Sequence, residues 1–464
     1  MAQSKNTLLA GFSRVDITPP LGTPLIGYYN VVERLAEIIM DKLEVNALAL
    51  SDSENKVVLL SADLLLIGND ATLAYRKCVA EATGLPLDNI ILSCTHTHSG
   101  PMTQKSDVNE HRIKGGQYID FLSARFCDAA LLALNDLKPA KMGWAVGHAP
   151  NVSFIRRYVM KNGSVRTNPD GYEKDIDHPV NVADDRVNVL RFIREGGKEI
   201  ALANFGTHAC SLHDNNMVSA DFPRFVRESV ESVLGVHCIF FSGAQGDINH
   251  KDFKRNKDHN KDAYVMEHDD IYRGYNHTGN ITAKHVGYAV GGAVLQVYGD
   301  MEWVDVDNVS SLCAICTVPT NKAKPEEIPW AQKVMDLHNA GRDSEIEHDP
   351  ERIKVGHVVA RASRMLRLQN APDTYDIPVC AVRVGPAVMV GIAGEPFNNV
   401  GVALKEGSGY DITLPMCCTN GYQGYYPMME CYEEGGYEAG SSPFAPGCAE
   451  KLIEVGLDLV NKLK

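Results

Sequence analysis

Apolar runs that stop abruptly on small or polar residues recur along this chain. The sharpest is Ile90-Ile91-Leu92-Ser93-Cys94, followed at once by Thr95-His96-Thr97-His98-Ser99-Gly100-Pro101. The run predicts a buried strand, and if the strand continues through the histidines, its period of two puts His96 and His98 on one face. The pattern repeats at 199–205, which ends in Gly206-Thr207-His208-Ala209-Cys210, and at 237–241, which ends in Ser242-Gly243-Ala244-Gln245-Gly246-Asp247. It returns at 387–393, where Gly394-Glu395-Pro396 follows and a carboxylate stands where histidine stood before. Strand ends that lead into turns are where α/β proteins build sites, because the sheet fixes the side chain and the loop exposes it.

The remaining pattern fills in around these runs. Alternating or apolar stretches predict strands at 43–51 and 56–63, joined by a turn at 52–55, and further strands at 310–319 and 412–418. Helical spacing covers 71–83, stopped by Gly84, then 118–137, 223–234, 281–296, 326–340, 357–369 and 446–464. Residues 10–30 are rich in Pro and Gly and read as extended chain. Residues 142–195 read as short strands mixed with loop. The polar stretch 251–280, with His259, His268 and His277, reads as a solvated insertion or a lid. The Tyr- and Gly-rich stretch around Tyr422, Tyr425, Tyr426, Tyr432 and Tyr437 cannot be a regular helix. With no repeat and no clear linker, 1–464 reads as one α/β domain of mixed β-sheets with surrounding helices.

Composition narrows the class. The chain has 464 residues, 44% hydrophobic and 22% charged, which is ordinary for a globular protein. Its formal net charge of -14, from 59 acids against 45 bases, argues against nucleic acid or an anionic membrane as main partner. Residues 1–8 hold no apolar core suited to export, and no integral membrane segment is predicted, so a cytoplasmic location is expected. The 12 cysteines follow no C-x-x-C spacing. Reduced, mostly buried thiols are therefore expected, including the adjacent Cys417 and Cys418.

Three strand ends carry His96/His98, His208 and Glu395, and two neutral imidazoles with one carboxylate match the open ligand set of catalytic zinc sites, in which one position is left for water. Asp247 is either a partner that orients an imidazole or a turn or cap residue. Arg156-Arg157 beside aromatics reads as solvated surface charge or as a clamp for an anion or carbonyl.

The blocks GFSRVDITPP, THTHSGP, GTHAC, SGAQGDIN, GEPFNN and the tail closing in GYEAGSS resemble the catalytic domain of the neutral ceramidase family, nearly end to end. That resemblance implies a zinc-dependent amidase of neutral-ceramidase-like fold. It implies Zn2+ ligation by His96, His208, Glu395 and Tyr425, with Tyr426 as the alternative to Tyr425. It further implies His98 as general acid or base, and Arg156 and Tyr437 as contacts to the substrate carbonyl. The chain departs from the family pattern in the GDVSPN-type block, at 211–223 and at 251–280, and no C-terminal immunoglobulin-like domain is expected within 1–464. The expected activity is hydrolysis of an amide, ester or lactone of a small soluble substrate, with ceramide as the alternative. A metal-dependent isomerase or lyase and a non-catalytic metal-binding protein are the rivals from other classes; a homo-oligomer is left open.

Overall fold

The computed structural model describes residues 8–28, 34–52, 54–103, 109–212, 216–254, 277–349 and 353–464. His259 and His268 of the polar stretch lie outside them.

The principal sheet runs His237–Ser242, Ile200–Phe205, Arg186–Arg194, Lys138–His148, Leu9–Asp16, Glu44–Ser51, Lys56–Ala62, Ile90–Cys94, with Glu302–Val304 as a further strand on Lys138–His148. Its middle is antiparallel, whereas both outermost pairs are parallel. A second sheet orders Val309–Pro319, Thr374–Val384, Ala387–Ile392 and Ile412–Met416, again with a parallel pair at one end. Period-two alternation makes the two sheets a sandwich. Phe12, Leu48, Leu50, Leu59, Ile91, Leu190 and Leu202 meet Val382, Met389 and Leu414 in the central layer.

The opposite faces are buried under helices. Val45, Ala47, Ala49, Val58 and Leu60 pack on the helix Asn109–Asn135 through Leu122 and Phe126. Val187, Val189, Ala203 and Phe240 pack on Phe222–Leu234 and His277–Val297. The second sheet is covered by Asn398–Gly407 and Cys448–Lys462. Faces buried on both sides explain why the edge strands read as unbroken apolar runs.

The principal sheet curls until its two edges meet. Ser61 Oγ donates to the Phe240 carbonyl, and Ser242 Oγ donates to the Thr95 carbonyl at 2.9 Å. The segment after Ile412–Met416 is wedged into that seam. Cys94 N–H donates to the Cys418 carbonyl, and Asn420 exchanges two bonds with the Leu92 backbone. The strand ends singled out by the hydrophobic pattern therefore open on one place.

Several expectations shift. The histidine strand ends at Cys94, and His96 sits at φ 67°, so neither His96 nor His98 lies on the strand. Within 142–195 the chain forms long strands, Lys138–His148 and Arg186–Arg194, because both are central and paired on two sides. The strand Thr374–Val384, absent from the expected set, carries Pro378 in its interior, a residue that argues against a strand. The Tyr-rich tail holds two single turns of helix, Cys431–Glu434 and Tyr437–Ser441. All 12 cysteines are free.

Candidate metal centre

The chain turns away from the sheet after Cys94 through backbone bonds of Thr95 and His96 to the Ala62 and Leu64 carbonyls. His98 is fixed to the next strand end, its N–H donating to the Ala209 carbonyl. This loop, not strand periodicity, brings the imidazoles together: the ring centroids lie 5.1 Å apart for His96–His98, 4.9 Å for His96–His208 and 5.4 Å for His98–His208.

In all three rings Nδ1 faces a backbone carbonyl at 2.9 Å: Leu65 for His96, Gly27 for His98 and Gln245 for His208. A carbonyl only accepts, so each neutral ring carries its proton on Nδ1 and turns the lone pair of Nε2 inward. The three ligand atoms lie within 4.8 Å of one another. Glu395 Oε2 joins them, 3.1 Å from His208 Nε2 and 3.3 Å from His96 Nε2. These four buried atoms have no hydrogen-bond donor among the described residues. Lone pairs crowded on lone pairs are unfavourable unless a cation sits between them, so this donor set fits a divalent ion.

The electrostatics agree. Burial and the neighbouring Arg156 charge push the His208 imidazole down to about 4, leaving it neutral at pH 7. Desolvation and its two histidine neighbours push His98 well below its usual range. Burial alone would raise Glu395, but the charge and hydrogen bonds of His96 and His208 in their protonated forms hold the carboxyl well below the ordinary value, so it is already ionised where those rings are neutral.

Around the centre, Tyr422 donates to Glu395 Oε1 at 2.6 Å and lies over the His96 ring. Cys418 Sγ is 3.4 Å from His96 Nδ1. Glu395–Pro396 pairs in parallel with Tyr425–Tyr426, so Glu395 stands opposite Tyr425. Tyr426 turns the other way, donating to the Ala393 carbonyl and stacking on Phe444. Of the two candidate tyrosines, Tyr425 is the one on the site side.

Arg156 and Arg157 are 6% and 1% exposed, which overturns the reading of solvated charge. Arg156 lies 5.4 Å from the Tyr425 ring centroid, and its charge reaches His208 and Glu395. Tyr437 packs between Tyr425 at 5.7 Å and His357 at 5.3 Å. Asp247 does not orient an imidazole. Its Oδ1 accepts the Asn398 N–H at 2.7 Å, at the start of Asn398–Gly407, and carbonyls do the orienting of His208.

The structure therefore brings His96, His98, His208 and Glu395 to one point, with Tyr425, Arg156 and Tyr437 along one wall. Sequence reasoning missed Tyr422, Glu438 and the carbonyls of Gly27, Leu65 and Gln245. Backbone acceptors leave no trace in residue type, and Glu438 next to Tyr437 looks like any surface glutamate.

Comparison with known proteins places residues 8–232 on the family model described as neutral/alkaline non-lysosomal ceramidase, N-terminal. Neutral ceramidase A of Dictyostelium discoideum is 28% identical over 220 residues, 44% of this chain and 29% of that protein. The match thus spans under a third of that relative's length. Two solved structures superpose with a TM-score of 0.69 over 98% of this chain: neutral ceramidase from Pseudomonas aeruginosa, at 18% identity and 74% of its length, and a ceramidase complexed with C2, at 17% and 75%. At that identity the likeness speaks for the fold. His96, His98 and His208 fall inside the matched 8–232; Glu395 and the tyrosines fall outside it.

Proposed function

Starting from the match of residues 8–232 to the neutral/alkaline ceramidase family model, we propose that 1–464 is a single zinc-dependent hydrolase domain that cleaves an amide, ester or lactone. The observation that carries this reading is the set of four donorless buried atoms, His96 Nε2, His98 Nε2, His208 Nε2 and Glu395 Oε2. His96, His208 and Glu395, with Tyr425 beside them, are the groups that would hold the ion. A divalent ion there supplies Lewis acidity, bringing the pKa of a water towards about 7 and polarising a carbonyl oxygen.

The chain supplies the rest. His98, neutral and anchored through Nδ1 to Gly27, presents a free Nε2 that takes a proton from the attacking water and returns it to the leaving nitrogen or oxygen. Arg156 and Tyr437 provide N–H and O–H donors where negative charge develops on the carbonyl oxygen.

The test pairs metal analysis with a panel of amides, esters and lactones in ¹⁸O water. We expect stoichiometric zinc and one solvent oxygen in a new carboxylate. His96→Ala, His208→Ala and Glu395→Ala should lose both zinc and turnover, whereas His98→Ala keeps zinc and loses about 10²- to 10⁴-fold in kcat. Full hydrolysis by metal-free protein refutes the proposal, and zinc loss in His98→Ala makes that residue a ligand.

The names of the matched proteins favour a second substrate, ceramide. Parallel assays on N-acyl sphingosine in detergent and on short soluble amides separate the two. Among the described residues no helix is long and apolar enough to cross a membrane. A cytoplasmic site of action belongs to the proposal, supported by the free thiols, which suit a reducing compartment; fractionation checks it.

A further inference from the structure

We propose that Glu438 is a positioning residue, whose carboxylate holds the Arg156 guanidinium in place beside the metal centre. The claim rests on the hydrolase reading above. Glu438 is fully buried. Its Oε1 accepts from Arg156 Nε at 2.6 Å, and its Oε2 accepts from Thr167 Oγ1 at 2.8 Å. Thr167 Oγ1 in turn accepts the Tyr437 N–H at 3.3 Å, so one carboxylate braces both residues assigned to the carbonyl oxygen.

Arg156 is also held from other sides. Its Nη2 donates to the Gly246 carbonyl at 2.7 Å, and its own N–H donates to the Asp247 carbonyl. Gly246 is itself pressed against the Glu395 backbone, where a Cβ would fall 2.5 Å from the Glu395 carbonyl oxygen. The guanidinium is thus tied to the segment carrying a metal-facing group, and what it leaves open faces Tyr425. Burial would lower the Arg156 pKa, but Glu438, Tyr425 and Glu395 together outweigh it and keep the group charged. A long cationic side chain aimed at a reacting oxygen is effective only when fixed before the reaction, because any reorientation would be charged to the transition state.

Docking of the tail does not depend on this pair. The neighbouring Arg157 joins the same segment independently, with Glu434 at 2.9 Å, the Gly435 carbonyl at 2.9 Å and Cys431 Sγ at 2.7 Å. Removing the Glu438 charge should therefore loosen Arg156 without releasing the tail.

The test uses Glu438→Gln in the zinc-loaded full chain, whose amide oxygen still accepts one bond from Arg156. We expect unchanged zinc stoichiometry and near-UV circular dichroism, with kcat down about 10- to 100-fold at nearly constant KM, less than the 10²–10³ for deleting a donor outright. In an Arg156→Ala background the same substitution should add no further loss, the signature of residues acting as a unit. Wild-type kcat in Glu438→Gln, or an equal loss in both backgrounds, overturns the proposal. A second readout needs no turnover: the Arg156 Nε–H resonance, assigned by its disappearance in Arg156→Lys, should exchange with solvent faster in Glu438→Gln, and unchanged protection overturns the proposal too. A wild-type chain inactive on the whole panel would sink the hydrolase reading, and the exchange result would then judge the positioning claim alone.

Discussion

Replacing Glu395 by Gln should change the stability of this protein in opposite directions with and without metal. Without metal, Glu395 Oε2 faces His208 Nε2 at 3.1 Å and His96 Nε2 at 3.3 Å, and His208 is neutral at pH 7. Acceptor meets acceptor. A Gln amide placed there donates an N–H across the same contact, while its oxygen keeps the bond from Tyr422, now 2.6 Å long. Satisfying a buried polar atom is worth about 1–3 kcal/mol, so metal-free Glu395→Gln should be more stable than metal-free wild type by roughly that amount. With zinc the order reverses, since wild type gains about 4 kcal/mol at a free zinc concentration 1,000 times its Kd, and the variant has lost its anionic ligand. Urea denaturation of chelator-treated and zinc-loaded samples of both proteins gives four midpoints whose order should cross. If metal-free Glu395→Gln is the less stable, or zinc raises both midpoints equally, the inward lone pairs do not form a metal site.

Tyr422→Phe removes the hydroxyl that holds Glu395 Oε1 and should weaken zinc binding about 10- to 100-fold, as for other groups that orient ligands, measured by competition with a chelator. Gly27→Ala puts a Cβ 3.0 Å from His98 Nδ1 at φ +124°; it should lower kcat while leaving zinc content intact, and unchanged kcat would remove His98 from the chemistry. Burial raises Asp247 from 3.8 to about 6. The folded state therefore holds its proton more tightly, and the carboxylate costs stability as pH rises through 6. Asp247→Asn, which keeps an acceptor for the Asn398 N–H, should show little gain in Tm near pH 4, a gain that grows between about pH 4 and 6, and a plateau above that; a gain confined to acid would reverse the assignment.

The apolar runs at 90–94, 199–205 and 387–393 were legible in the chain because strands buried on both faces must be apolar throughout, and their abrupt ends marked where His96, His98, His208 and Glu395 are presented. The covering helices at 118–137, 223–234, 281–296 and 446–464 were legible from their spacing, whereas the short helix Asn398–Gly407 was not. What the linear chain could not settle was convergence. Two edges of one curled sheet and the tip of a second meet through contacts such as Ser242 to Thr95 and Asn420 to Leu92, between residues 147 and 328 positions apart. Ring orientation was equally hidden, since the Gly27, Leu65 and Gln245 carbonyls that turn each Nε2 inward belong to backbone that every residue shares. Whether Arg156 and Glu438 are solvated or buried as a pair is likewise decided by packing alone, because a charge enters a core only where the fold brings its partner.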